Sequence, residues 1–175
     1  MKTLVVVDVQ HDFASPDGAL YVKGSEIIAN KVLEVIKDFD HVVFTLDFHP
    51  INHCSFVENG GIWSAHCVAY TAGAALPVEL LKAAKSFEIA LKGQAADHEE
   101  YGAFADGKPV DSIMQADEVV ICGIAGDYCV GETLRNIVKM RGSSQGIKAY
   151  TEGTAYFDGG IRYGEILEEL GVEKY

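Results

Sequence analysis

Basic side chains are scarce in this sequence: 14 lysines and arginines stand against 26 acidic residues, a formal net charge of −12. That balance has the wrong sign for a chain that neutralises nucleic-acid phosphates or lies on an anionic membrane, and it leaves a small-molecule ligand as the expected partner. Long apolar runs are missing too. No stretch approaches the ~20 residues of a membrane span, and the first residues lead straight into a strand-like segment without a signal-type apolar core, so a cytoplasmic protein is expected. Cysteine is sparse, four in 175 residues, and no pair is spaced CxxC. In a reducing compartment Cys54, Cys67, Cys122 and Cys129 are therefore expected as free thiols, ligands or a nucleophile. Repeats, low-complexity tracts and linkers are absent, which predicts one domain over 1–175, large enough to bury about 70% of its unfolded surface.

What the chain does contain is a series of short, β-branched apolar runs. Val119 to Cys122 is too short for a core helix and reads as a strand buried on both faces. A Gly-rich loop follows, and then Val130, Leu134, Ile137 and Val138 recur at helical spacing, so a helix is expected to begin close to Cys129. A thiol at such a junction is expected to have a lowered pKa and to lie beside free backbone N–H groups. Leu4 to Val7 is a strand ending in Asp8. Ser25 is a plausible N-cap for a helix with Ile28, Val32, Val35, Ile36 and Phe39 as its buried stripe. Val42 to Leu46 is a strand ending in Asp47, Pro77 can open a short helix, and Phe87 to Leu91 is a strand running into Lys92. Ile147 to Tyr150 reads as a strand and Tyr163 to Leu170 as a final helix stopped by Gly171. Alternating strands and helices predict a three-layer, doubly wound α/β sheet, mainly parallel. With strands ordered 3-2-1-4, Asp8, Asp47 with His49, Lys92 and Cys129 meet beyond the carboxyl ends of the strands, where such sheets bind ligands.

These groups are chemically complementary. A cysteine that attacks a carboxamide or ester needs a base, for which Asp8 is the candidate, and Lys92 would favour the charged forms of both. Asp47, His49 and His66 form an O/N/N set that suits a divalent Zn, Mn or Fe ion with positions left open, and His53 is a candidate fourth ligand. A closed zinc site of His53, Cys54, His66 and Cys67 is the competing arrangement. Phe13 and Trp63 offer flat apolar faces for an aromatic ligand or for the core.

The segments VVVDVQHDF with Gly18-Ala19-Leu20, TLDFHPINHCSF, WSAHCV, LKG with the later Tyr101-Gly102-Ala103-Phe104, and GIAGDYCV occur in this order along most of the chain. In them the chain resembles the isochorismatase-like cysteine hydrolases, and within these the metal-dependent nicotinamidases, which the Asp47/His49/His66 set separates from the isochorismatases. The resemblance implies a Rossmann-like strand order 3-2-1-4-5-6 and a triad of Asp8, Lys92 and Cys129. It further implies an oxyanion hole from the N–H groups of Ala125 and Cys129, and a cis peptide before Ala125. A divalent metal, zinc in the first place, is implied at Asp47, His49 and His66, with a ring pocket of Phe13, Trp63, Tyr101 and Tyr128. The implied reaction is hydrolysis of nicotinamide to nicotinate and ammonia through a thioester, as in NAD salvage, by a homo-oligomer. A related hydrolase of another small amide or vinyl ether, or a non-catalytic binding protein on the same scaffold, would share much of this pattern. Gly126 stands where the family usually has threonine, Ser64-Ala65 replaces a proline-containing pair, and the segment after Met140 is atypical.

Overall fold

Leu4 to Val7 have no solvent exposure, and because side chains alternate along a strand, Leu4 and Val6 enter one core cluster while Val5 and Val7 enter another. That double burial places the first strand in the middle of the molecule. The structure, a computed structural model, describes residues 1–175. Its strands are β1 (Lys2–Val7), β2 (His41–Asp47), β3 (Phe87–Lys92), β4 (Glu118–Gly123), β5 (Ile147–Thr154) and β6 (Glu173–Lys174). They form one parallel sheet in the order β3-β2-β1-β4-β5-β6. The helices are α1 (His11–Ala14), α2 (Ile28–Val35), α3 (Val78–Ala83), α4 (Asp111–Met114), α5 (Gly131–Arg141) and α6 (Ile161–Leu170). Apolar residues of α2 and α3 join the cluster on one face of the sheet, and those of α5 and α6 join the cluster on the other. No helix is long and apolar enough to cross a membrane.

Register carries the functional consequence. Asp47 pairs with Lys92, so β2 and β3 finish level, and β1 ends at Val7 opposite Thr45, two residues before the end of β2. Gly123, at the end of β4, pairs with Val7. The four strand ends therefore form one rim.

One local expectation is corrected. Ser25 does not cap α2: its hydroxyl donates to the Phe13 carbonyl at 2.7 Å, a buried acceptor that outcompetes a cap. After β4, α5 begins at Gly131, two residues past Cys129. Gly126–Val130 forms a π-type turn ahead of α5, with the Val130 N–H reaching back to the Ala125 carbonyl at 3.0 Å. Wider turns of this type are often found at functional sites.

Candidate active site

Asp8 follows β1 with φ +51°, in the left-handed region that non-glycine residues seldom adopt. Its carboxylate is fully buried. Oδ1 accepts the Thr45 hydroxyl at 2.6 Å, and Oδ2 lies 2.9 Å from Lys92 Nζ. That second contact is an ion pair without hydrogen-bond alignment, and Oδ2 has no hydrogen-bond partner. Lys92 Nζ also lies 3.5 Å from Cys129 Sγ and pairs with Asp47. Oxygens of Asp8 and Asp47 and the sulfur of Cys129 all fall within 4.8 Å of one another. The strand ends thus bring Asp8, Lys92 and Cys129 together.

Burial dominates the protonation of this cluster. It pushes the Asp8 carboxyl above its ordinary value, against the pull of Lys92. It also raises the Cys129 thiol well above its usual range despite the neighbouring Lys92. The lowered thiol pKa expected from a helix end is therefore not found, because desolvation outweighs the backbone dipoles and the sulfur rests as a neutral thiol. Burial also works against the Lys92 ammonium, but the carboxylates of Asp47 and Asp8 prevail and keep it charged. The Ile124–Ala125 peptide is cis. The Gly126 N–H donates to the Ala155 carbonyl at 2.8 Å, whereas the Ala125 N–H has no acceptor within the protein. A free buried donor beside a thiol can receive a developing oxyanion.

Asp47, His49 and His66 are all buried, and one ligand atom from each lies within 4.8 Å of the others. His49 Nδ1 donates to the Gly93 carbonyl at 2.8 Å, and His66 Nδ1 donates to the Ser64 carbonyl at 2.7 Å. A carbonyl only accepts, so both Nδ1 atoms carry the proton and both Nε2 lone pairs are free. These face Asp47 Oδ2 at 3.4 and 3.8 Å. Oriented imidazoles around a carboxylate are the donor set of a divalent ion site, and the residues present fit one. Gly93 is required for this orientation: its φ is +64°, and a Cβ there would lie 2.4 Å from His49 Cε1.

His53 stands outside that set. Its ring stacks on His49 at 4.1 Å, Nδ1 bonds Ser55 Oγ at 2.7 Å, and Nε2 donates to the His98 carbonyl at 3.0 Å. Both ring nitrogens are occupied. The alternative site of His53, Cys54, His66 and Cys67 is not assembled either, since neither group of close ligand atoms contains His53, Cys54 or Cys67.

A narrow pocket opens beside Asp47, His66 and Cys129. Phe13, Trp63, Tyr101 and Tyr128 all line it. Trp63 Nε1 donates to the Tyr101 hydroxyl at 3.1 Å, and Tyr128 meets Trp63 edge-on at 5.3 Å. Three contributors escaped the sequence reading. Thr45 was visible as the one hydroxyl in an apolar strand; Glu99 and Phe157, which also line the cavity, carry no local signal. Gln10, fully buried, clasps the end of β2 by donating to the Asp47 carbonyl and accepting its N–H, both at 2.8 Å.

The family model described as the isochorismatase domain matches residues 2–140. A nicotinamidase of Saccharomyces cerevisiae is 33% identical over 171 residues, covering 76% of this chain and 79% of that protein. The crystal structure of PnC1 from L. infantum in complex with nicotinate superposes with a TM-score of 0.84 at 31% identity, over 100% of this chain and 92% of that one. The pyrazinamidase of Pyrococcus horikoshii in complex with zinc superposes with a TM-score of 0.80 at 33% identity, over 99% of this chain and 97% of that one.

Proposed function

The chain belongs to the isochorismatase family and is an amidohydrolase of the nicotinamidase type, and on that premise we propose that it hydrolyses nicotinamide to nicotinate and ammonia, with Cys129 as nucleophile. The observation that carries this reading is that Cys129, which lines an aromatic-walled pocket, contacts Lys92, itself paired with Asp8. A neutral thiol suits it. Asp8 Oδ2, which has no other hydrogen-bond partner, takes the thiol proton as the sulfur attacks the carboxamide carbon, and Lys92 compensates the charge that develops. The carbonyl oxygen, now an oxyanion, is received by the N–H groups of Ala125 and Cys129. Collapse of the tetrahedral adduct breaks the C–N bond, and Asp8 delivers its proton to the departing ammonia. Water then gives a proton to Asp8 and its oxygen to the thioester carbon; the C–S bond breaks and the proton returns to sulfur. Phe13, Trp63, Tyr101 and Tyr128 hold the ring and exclude bulk water.

Asp47, His49 and His66 would hold one divalent ion, and the zinc complex of the Pyrococcus horikoshii pyrazinamidase supports zinc ahead of manganese or iron. Such an ion supplies a Lewis acid for the ring nitrogen of a pyridine or for a water molecule.

Ammonia release from nicotinamide, measured with and without a chelator, tests the whole reading. Turnover is expected, with loss on chelation and recovery on adding zinc. Cys129→Ala should abolish it while leaving the circular dichroism spectrum unchanged, and persistent deamidation by that variant would refute the covalent route. Asp47→Ala is expected to lose its metal; a full complement by elemental analysis would refute the site.

A further inference from the structure

One wall of the cavity comes from outside the region that the family model matches. Phe157 lines it, lies beyond residues 2–140 and keeps 45% of its surface exposed. Its ring stacks on Trp63, with centroids 5.9 Å apart and planes 29° apart, and meets Tyr128 edge-on at 5.7 Å. The backbone behind this ring is fastened to the nucleophile turn. The N–H groups of Phe157 and Asp158 donate to the Asp127 carboxylate at 3.1 and 3.0 Å, and Asp127 is only 3% exposed. Charge-assisted bonds of this kind are roughly twice as strong as neutral ones. On the other side, Asp158 accepts the N–H groups of Gly160 and Arg162 at 2.8 and 2.9 Å, which ties the segment to α6.

Gly126 makes this path possible. A Cβ at that position would lie 2.4 Å from Tyr156 Cε1, so the Tyr156 ring occupies the space a side chain would need, and Phe157 follows directly. The absent side chain in the nucleophile turn and the wall on the far side of the cavity are thus parts of one arrangement.

We infer that Phe157 is a specificity-determining residue of the ring pocket, closing it against rings substituted on the edge that faces this wall, and that Asp127 is the positioning residue holding it there. This rests on the proposed deamidation of a pyridine carboxamide. Trp63, Tyr128 and Phe157 pack on one another as a single aromatic wall of the pocket, against which a planar, unsubstituted six-membered ring can lie, whereas a methyl group directed at Phe157 meets a ring whose backbone is anchored at both ends. Phe157 carries no acid, base or nucleophile, so its effect falls on binding and selectivity.

The test compares Phe157→Ala and Phe157→Tyr with wild type on nicotinamide and 5-methylnicotinamide. Acrylamide quenching of Trp63, the single tryptophan, reports the stack without requiring turnover. Phe157→Ala is expected to increase quenching and to raise KM for nicotinamide roughly tenfold with kcat within about twofold. Its kcat/KM for 5-methylnicotinamide relative to nicotinamide should rise by a similar factor, and Phe157→Tyr should retain wild-type values. Unchanged quenching, or increased quenching with KM and the substrate ratio unchanged, overturns the inference. If wild type releases no ammonia from nicotinamide, the deamidation reading fails separately. The wall is then judged by nicotinate binding followed through Trp63 fluorescence: weaker binding to Phe157→Ala supports it and equal binding overturns it. Asp127→Ala should reproduce the selectivity change of Phe157→Ala, and wild-type selectivity in a folded Asp127→Ala protein overturns the positioning role.

Discussion

Asp8 and Asp47 share one counter-ion: Lys92 Nζ sits 2.9 Å from Asp8 Oδ2 and pairs at the same time with Asp47. The two carboxylates receive unequal shares of it. Burial leaves Asp8 above its ordinary pKa, while Lys92 holds Asp47 well below it against the same burial. One ammonium thereby serves a carboxylate beside the thiol and another beside the imidazoles.

Lys92→Met removes that counter-ion and strands two buried carboxylates. Breaking a buried ion pair from one side costs about 3–5 kcal/mol, a fall in Tm of roughly 6–20 °C for a domain of this size. Calorimetry on the purified variant checks this, and a Tm within 2 °C of wild type would show that solvent reaches the carboxylates.

Thr45→Val keeps the shape of the strand and deletes the hydroxyl bonded to Asp8 at 2.6 Å. That bond lowers the Asp8 pKa, so without it the carboxyl rises further and is protonated over a wider range of pH. The acidic limb of kcat/KM for nicotinamide should move to higher pH, with the plateau little changed. An acidic limb that stays in place would remove Asp8 from the role of base.

Glu118 bridges Lys148 at 2.7 Å and Lys2 at 3.1 Å. The Lys148 bond is the main reason its carboxyl lies below the usual range. A folded pKa below the unfolded one contributes stability above the unfolded value, which is lost as pH falls through the folded value. Glu118→Gln should therefore cost at most about 1 kcal/mol at neutral pH and low salt. Urea titrations should show the difference from wild type closing below about pH 4.

Gly126→Ala forces a methyl group against Tyr156 and should destabilise by about 1–3 kcal/mol. In a Tyr156→Ala background the obstacle is gone, so the same substitution should cost much less, and the double-mutant cycle should show coupling. Additive effects would mean that the two positions do not press on each other.

Strand ends were the legible part of this molecule. Asp8, Asp47 and Lys92 each close a short strand-like run and Cys129 lies in the turn after another, and a parallel sheet turns that regularity into proximity. The π-type turn at Gly126–Val130 was not legible, because local spacing cannot separate it from the first turn of α5. Nor was the state of the thiol: position suggested activation, but protonation is decided by burial, which is a tertiary property. Ser25 carried a cap signal that a distant carbonyl overrode. His53 lies in the same motif as His49, and only the three-dimensional placement of Ser55 and His98 shows where its nitrogens are spent. Phe157 lies 28 residues after Cys129 in sequence and reaches the cavity only through Asp127 and the start of α6.

Strand order also carries a consequence for biosynthesis. The first three strands form one wing of the sheet, and β4, which carries Cys129 beyond it, docks on the free side of β1. A nascent chain emerging from the ribosome therefore presents the acid, the amine and the imidazoles before the sulfur arrives, and the cluster is complete only when about three-quarters of it has been translated. A product truncated by premature termination before β4 would carry no reactive thiol at this rim.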